Sequence, residues 1–295
     1  MKKSNLRLLC LLCAFGISTG QTQIAGAEKP AAPDQKEKAE KPAAPIFKDK
    51  QLEAAVRKFV FDKRDNDKPL TEDDLANLST IEGKGMNITD LTGLEKCQNL
   101  ASLDLSGNQI ADLSALRGLT KLQFLNLANN RISNIKPLSE APALQYLELS
   151  HNQVRNLSPL HSLTNLTSLY LFHNRVIDIY PIVKLPRLAS LYLDNNQIES
   201  IDDIAGLRQL STLSLNNNFI SDVAPVQGLT GLYYLFLENN EIRDLSPIVD
   251  MTKKDFEGAK NFAPFINIYV KGNPLAPAAK AQLEELKKFG ARLHS

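Results

Sequence analysis

The stretch at residues 100–122, LASLDLSGNQIADLSALRGLTKL, decides the fold of this chain. If Leu100 is counted as position 0, leucine stands at positions 3, 5, 13, 16 and 19, asparagine at 8 and isoleucine at 10, and the pattern restarts at position 22. The regular frames begin at Leu100, Leu122, Leu144, Leu166, Leu188, Leu210 and Leu232. One such coil cannot bury its apolar face alone, whereas stacked coils share a continuous core. The period therefore predicts a solenoid.

The first part of each coil predicts a short β-strand. Positions 3 and 5 are apolar and alternate with positions 2, 4 and 6, which is the period of a strand with one buried face. Stacking places these strands in parallel, about 4.8 Å apart, in one sheet on the concave side. The asparagine at position 8 is predicted to form a buried ladder, which requires satisfied amides because an unpaired one costs about 1–3 kcal/mol. The ladder residues are Asn108, Asn130, Asn152, Asn174, Asn196, Asn218, Asn240 and Asn273.

The second part of each coil predicts a short helical segment on the convex side. Position 12 is Asp, Asn or Ser in every regular coil, which is the choice of a turn or a helix N-cap. Proline at position 15 suits the first turn of an α- or 3₁₀-helix. These prolines are Pro137, Pro159, Pro181, Pro225 and Pro247. The predicted fold class is thus an α/β solenoid, a curved leucine-rich repeat with a parallel concave sheet.

The chain outside the regular coils divides into further segments. Residues 1–27 predict a signal peptide, with a basic start, an apolar stretch too short to span a membrane and an Ala-Gly-Ala end. Residues 28–45 contain KPAAP twice and no large apolar residue, which predicts a disordered linker. We expect a helical N-terminal cap at 46–77, leucine-rich repeats at 78–275 and a C-terminal helical cap at 276–295.

Both predicted caps contain helical patterns. An apolar face favours a helix near 48–61, and Thr71 with the acids after it is typical of a capped start to a second, short helix. An insertion at 252–264 shifts the repeat frame by 11 residues and is expected to bulge on the convex or rim side, with a helical turn as one form that it could take. Residues 277–289 predict an amphipathic helix that ends at Gly290.

The 22-residue coil with Ile or Val at position 10 and the cap sequence PLTEDDLANLSTIEGKGMNITDLTGLEKCQNL at 69–100 resemble the internalin family of secreted bacterial leucine-rich repeat proteins. The resemblance implies a curved, non-enzymatic scaffold whose concave face binds another protein, often at a cell surface. Up to Ser295 there is no cell-wall sorting signal and no immunoglobulin-like domain, so wall anchoring and host-cell invasion are not carried over. The coil also resembles that of an intracellular phosphatase-regulating subunit.

The outward positions 2, 4 and 6 carry the candidate binding residues Phe124, Tyr146, Tyr170, Phe172, Tyr192, Tyr234, Phe236 and Tyr269. Exposed aromatic side chains grouped on one face are typical of protein interfaces, and we expect Tyr170, Phe172 and Tyr192 to lie at the centre of the contact. Alternatively, these rings simply favour strand surfaces and pack sideways on their neighbours. Acidic residues on the same face favour a partner of basic or mixed charge; they are Asp104, Glu148, Asp194 and Glu238.

Other classes of function find little support in the sequence. The formal net charge of +1 gives no electrostatic case for nucleic acid or an anionic membrane. Catalytic motifs are absent, so we expect no catalytic residues and no cofactor. His151 and His173 share position 7 in adjacent coils, but two ligands make a poor site and no metal is expected. Cys97 stands where other coils carry leucine, which indicates a buried small residue rather than a reactive thiol.

Together these features predict a non-catalytic, monomeric scaffold that captures a protein ligand on its concave face. The predicted location is outside the cytoplasm, either secreted or in the periplasm or cell envelope, with membrane attachment only through lipidation of Cys13 or an envelope tether. Three alternatives stay open: an envelope structural protein, a glycan-binding protein that stacks sugars on its aromatic residues, and a regulatory subunit of a partner enzyme.

Overall fold

The computed structural model describes residues 44–262 and 266–294. The predicted signal peptide (1–27), the lipidation of Cys13 and nearly all of the predicted linker (28–45) therefore lie outside the described residues. Within the described part, no helix is both long enough and apolar enough to cross a membrane.

Ten short strands pair in parallel and in sequence order in the described chain, which makes a single sheet. The strands are β1 Thr80–Glu82, β2 Ser102–Asp104, β3 Phe124–Asn126, β4 Tyr146–Glu148, β5 Ser168–Tyr170, β6 Ser190–Tyr192, β7 Thr212–Ser214, β8 Tyr234–Phe236, β9 Asn267–Tyr269 and β10 Arg292–His294. The α-helices are α1 Lys50–Arg57, α2 Glu72–Ala76, α3 Ser246–Glu257 and α4 Ala279–Lys288. Short 3₁₀ segments lie at Leu94–Lys96, Ser114–Leu116, Lys136–Glu140, Ser158–Leu160, Tyr180–Ile182, Ile204–Gly206 and Ala224–Gly228.

The register of the sheet matches the repeat frame. Leu103 pairs with Leu125, and Leu125 pairs with Leu147, so that leucines at position 3 of successive coils lie side by side. All three are fully buried. Cys97 belongs to the same core, where burial raises the pKa of its thiol to about 12, as predicted for a small buried residue. The predicted α/β solenoid is confirmed.

The predicted asparagine ladder is present and its amides are satisfied. The Nδ2 group of Asn130 donates to the carbonyl oxygens of Leu105 and Leu127, both at 3.0 Å. Its Oδ1 accepts from the amide of Ile110 at 2.9 Å. Every asparagine of the ladder makes this set of bonds to its own and the preceding coil. The ladder therefore fixes the spacing of the coils.

Position 12 begins the convex turn in the predicted way. The Oδ1 atom of Asp112 accepts from the amide of Ser114 at 2.9 Å, and the Asp or Asn side chains at position 12 of the later coils do the same. The predicted prolines lie in the first turn of the helical segment that follows. All but the last of these segments are 3₁₀ rather than α-helical.

The N-terminal cap contains two helices, as predicted, but the first is shorter than its pattern suggested. Helix α1 ends at Arg57 rather than near residue 61. The guanidinium group of Arg57 donates to the carbonyl oxygens of Lys63, Asn66 and Lys68, so the following segment folds back over the helix end. These bonds depend on a loop conformation that no periodic pattern encodes. Helix α2 begins at Glu72, and Thr71 before it is the N-cap of a capping box, as predicted.

Asp49 joins the N-terminal cap to the first coil. Its Oδ1 accepts from the first amides of α1, including that of Gln51 at 2.8 Å, while its Oδ2 accepts from the amides of Thr89 at 2.8 Å and Asp90 at 3.2 Å. Burial alone would raise the pKa of this carboxyl group, but the four amide donors outweigh it and hold the pKa below its usual value. The cap is thus anchored through an ionised carboxylate.

The C-terminal end departs from the prediction in two ways. The first part of the insertion expected at 252–264, as far as Glu257, continues α3, a 12-residue helix that replaces the 3₁₀ segment of its coil and is longer than the local bulge or single helical turn that was expected. After α4, the chain turns at Gly290, whose φ of 89° is left-handed, and forms β10 parallel to β9. The C-terminal cap is therefore a helix and an edge strand, whereas the sequence predicted a helix alone. The strand is three residues long, too short to show a period.

Candidate binding surface

Each strand directs its central residue into the core and the flanking residues to the concave face. In β5, Leu169 is fully buried, whereas Ser168 and Tyr170 on either side are partly exposed. All eight predicted aromatic residues lie on the outward positions, and each keeps part of its surface exposed: Phe124, Tyr146, Tyr170, Phe172, Tyr192, Tyr234, Phe236 and Tyr269. Tyr234 is the most exposed of them, at 43%.

Four of these rings form one group across β3–β6, which we call the N-terminal stack. Phe124 and Tyr146 stack with ring centroids 4.5 Å apart and planes at 13°. Tyr146 and Tyr170 lie 5.2 Å apart and are tilted by 40°. Tyr170 and Tyr192 stack at 4.8 Å and 9°. The rings therefore pack sideways on one another, as the alternative explanation of the pattern expected, and each also keeps part of its surface exposed.

A second group, the C-terminal stack, lies across β8–β10. Tyr234 and Phe236 are nearly parallel at 6.1 Å, and Phe236 stacks on Tyr269 at 4.4 Å. The stack continues to His294, whose ring lies 4.1 Å from that of Tyr269 at 7°. Sequence reasoning missed His294 because it belongs to β10, the strand that was not predicted. Its position, four residues after Gly290, offered no periodic signal.

The two stacks are separated by the coil of β7, in which Thr212 and Ser214 lie on the strand at outward positions and Asn216 follows it at the next one. The predicted aromatic surface is therefore two groups and not a continuous patch. Phe172 also lies apart from the predicted centre, because its ring packs edge-on against His151 at 5.8 Å and His173 at 6.5 Å. The structure brings Tyr170 and Tyr192 together as expected and places Phe172 at the rim of the strands.

The two histidines stack at this rim. The rings of His151 and His173 lie 4.3 Å apart with planes at 17°. Both residues have φ above 50°, in the left-handed region where the other coils have Asn129, Asn195, Asn217 and Asn239. Burial, and then the neighbouring His173, lower the pKa of His151. Among the described residues, no group of three or more His, Cys, Asp or Glu side chains is arranged to hold a metal ion.

The concave face is acidic across β2–β8. Its outward positions 2, 4 and 6 carry four carboxylates and no lysine or arginine; the acids are Asp104, Glu148, Asp194 and Glu238. Four ion pairs involve residues of the N-terminal cap and one lies within α4, and none of these five includes one of the four acids. Along β2–β8, the outward positions therefore supply no cation to these acids.

Glu148 is the most buried of these acids, with 9% of its surface exposed. Its Oε1 accepts from the amide of Ser150 at 2.7 Å, but burial outweighs this bond and raises the pKa of the carboxyl group. Burial and the adjacent Glu148 also raise the pKa of Tyr146 to about 12. The N-terminal stack thus surrounds a carboxylate that is poorly solvated.

Asp194 is held at the end of β6, above β7. Its Oδ1 accepts from the hydroxyl of Ser214 at 2.6 Å and from the amide of Asn216 at 3.3 Å. The side-chain oxygen of Asn216 in turn accepts from the amide of Glu238 at 2.7 Å. These bonds fix the polar groups that lie between the two aromatic stacks.

Comparisons with known proteins agree with this architecture. A family profile described as "Leucine Rich repeats (2 copies)" matches residues 98–140, 120–162, 142–182, 164–206 and 208–249. No curated protein matches the sequence significantly. Among solved structures, internalin C2 (inlC2) from Listeria monocytogenes is 31% identical, with a TM-score of 0.69 over 77% of this chain and 95% of that one.

Two further structures extend the comparison. Internalin inlF from Listeria monocytogenes is 28% identical, with a TM-score of 0.73 over 85% of this chain and 76% of that one. A leucine-rich repeat protein from Leptospira interrogans shares the fold, at 24% identity and a TM-score of 0.60, over 70% of this chain and 57% of its own. With the repeat frame, the asparagine ladder and the identity to internalin C2 in agreement, the chain belongs to the leucine-rich repeat proteins and is internalin-like.

Proposed function

We propose that this protein is a non-catalytic scaffold that captures a partner protein on the concave face of its sheet, through the N-terminal and C-terminal aromatic stacks. We propose further that its N-terminal segment, 1–27, directs it out of the cytoplasm, to the cell envelope or the exterior. The observation that carries the proposal is the partly exposed set of stacked rings on a face with acids and no lysine or arginine from β2 to β8.

The rigidity of the sheet supports a binding role. The rings lie on strands that are fixed by a continuous leucine core and by the asparagine ladder, so little conformational entropy remains to be lost when a partner docks. Tyrosine and phenylalanine supply large contact areas with few rotatable bonds. The surface is therefore preorganised for a protein contact.

The ring geometry favours a protein over a glycan. Sugar stacking uses the flat face of an aromatic ring, but within both stacks the faces cover one another at 4.1–5.2 Å for most pairs. Apart from the ring faces at the ends of the stacks, the edges and the tyrosine hydroxyls remain for contact, which suits the polar and apolar mixture of a protein surface.

The test compares two sets of aromatic substitutions. The concave triple variant replaces Tyr170, Phe172 and Tyr192 with alanine. The matched control replaces three exposed aromatic residues away from this face, Tyr180 at 56%, Phe219 at 50% and Phe256 at 50% exposure, with alanine. Each immobilised protein is incubated with extracellular and envelope extracts, and the captured proteins are identified by mass spectrometry. Thermal unfolding confirms that each variant is folded.

We expect the wild type and the control to capture the same partner, and the concave triple variant to bind it at least about 100-fold more weakly, since each lost aromatic anchor costs about 2 kcal/mol or more. Capture that is undiminished in a folded concave triple variant would refute the proposed surface.

A further inference from the structure

The gap between the two aromatic stacks has the form of a slot. By register, Tyr192 of β6 lies beside Ser214 of β7, and Ser214 lies beside Phe236 of β8. Tyr192 ends the N-terminal stack and Phe236 lies within the C-terminal stack, so each ring is supported from behind by a further ring, 4.8 Å and 4.4 Å away. The small Ser214 leaves the facing sides of Tyr192 and Phe236 without an aromatic neighbour between them.

The dimensions of the slot suit one planar group. The backbones of β6 and β8 are two strand spacings apart, about 9.6 Å. Two van der Waals contacts between stacked flat groups take about 7–8 Å. One flat group therefore fits between the rings of Tyr192 and Phe236, with Ser214 as the floor.

The charge at the slot is negative. Asp194 is tied to β7 through the hydroxyl of Ser214 and the amide of Asn216, and both of these bonds go to its Oδ1. Glu238 follows on the next coil, with its amide bonded to Asn216. No lysine or arginine stands at the outward positions of β2–β8 to balance these acids. An occupant of the slot is thus favoured if it is flat and carries a positive charge.

We propose that the slot receives an arginine side chain of the partner protein, with its guanidinium group between Tyr192 and Phe236 and its N–H groups donating to Asp194. This inference rests on the proposed function. Guanidinium is planar, stacks on aromatic rings and forms forked hydrogen bonds with carboxylates. A lysine ammonium group has no plane to stack, and an aromatic side chain would bury Asp194 without a cation.

The first test uses a defined peptide, acetyl-Gly-Gly-Arg-Gly-Gly-amide, titrated into the full chain. Binding is followed by NMR through the ring resonances of Tyr192 and Phe236. The matched probe replaces arginine with citrulline, which keeps the shape and removes the charge. We expect saturable shifts with the arginine peptide and about tenfold weaker binding with citrulline, because the cation–π attraction to both rings and the charge of the hydrogen bonds to Asp194 are lost together. Equal binding of the two peptides would overturn the inference.

The second test alters the slot. Ser214→Tyr places an aromatic residue between Tyr192 and Phe236 and closes the gap with a kind of side chain that the adjacent coils carry at the same position. Asp194→Asn removes the charge and keeps an oxygen as acceptor. Each change is expected to weaken binding of the arginine peptide about tenfold or more. Asp112→Asn is the matched control, because Asp112 likewise accepts from a backbone amide and a serine hydroxyl but lies on the convex side, and it should leave binding unchanged.

The outcomes separate the slot from the proposed function. If Ser214→Tyr fails to fold, the citrulline comparison and Asp194→Asn decide the matter alone. If arginine-peptide binding is absent or unaffected by Asp194→Asn, the slot is refuted, even where the concave triple variant loses its protein partner and the proposed function stands. If peptide binding follows the expected pattern but the triple variant keeps its partner, the slot binds arginine and the proposed capture surface is wrong.

Discussion

Replacement of Asn174 by alanine tests how the coils are held together. The Nδ2 group of Asn174 donates to the carbonyl oxygens of Leu149 and Leu171, both at 3.0 Å, and its Oδ1 accepts from the amide of Val154 at 2.9 Å. Alanine leaves these three buried backbone groups without their partner. At about 1–3 kcal/mol for each unsatisfied group, reduced by local relaxation, we expect a loss of about 3–6 kcal/mol in the free energy of unfolding.

Urea denaturation followed by far-UV circular dichroism measures this loss, provided that the slope with denaturant is the same as in the wild type. Gln197→Ala is the matched control, because its side chain is exposed and its replacement should change the free energy of unfolding by less than about 0.5 kcal/mol. A loss below about 1 kcal/mol for Asn174→Ala would show that the ladder is not what fixes the coils, and would refute the reasoning.

Three further predictions concern the rim, the cap and the concave face. The pKa of His151 is lowered below its reference value of 6.5 in the folded chain, so stability is full above pH 6.5 and falls as the pH is lowered through that value. His151→Asn removes this titration. Between pH 7.5 and pH 5.5, roughly one unit either side of 6.5, the melting temperature of His151→Asn should therefore fall less than that of the wild type or of His161→Asn. Gly93→Ala should destabilise the N-terminal cap by about 3 kcal/mol or more. The φ angle of Gly93 is 109°, and the new Cβ would lie 2.6 Å from the Phe47 ring and 2.8 Å from the Ile46 carbonyl oxygen. Hydrogen exchange in α1 equal to that of the wild type would contradict this. The pKa of Glu148 is raised, so the folded chain gains stability on acidification through the region just above pH 4.5. Glu148→Gln should remove this gain, and urea unfolding across that pH range measures it.

Much of the fold followed from the sequence because every coil repeats the same contacts. A leucine at position 3 and an asparagine at position 8 have one environment in a stacked solenoid, and Leu125 and Asn130 occupy it as expected. The end of α1 and the strand β10 could not be predicted from the sequence. The first depends on the loop that folds over Arg57, and the second on the left-handed turn at Gly290, and both arise once in the chain.

The candidate surface could be predicted from the sequence only in part. The two-residue period of the strands placed the aromatic residues on the correct face, but their division into two stacks depends on ring rotation and on the single residue Ser214. The gap is visible in the sequence once position 4 of successive coils is compared, since Ser214 stands between Tyr192 and Phe236. His294 could not be found in this way because its strand follows no repeat frame.

The most direct test of the concave surface is crosslinking from defined positions. A photoreactive phenylalanine analogue is introduced in place of Tyr234, which is 43% exposed on the concave face, and separately in place of Tyr180, which is 56% exposed in a convex 3₁₀ segment. The proposed function predicts that the captured partner is crosslinked from the first position and not from the second. Crosslinking from Tyr180 alone would contradict it.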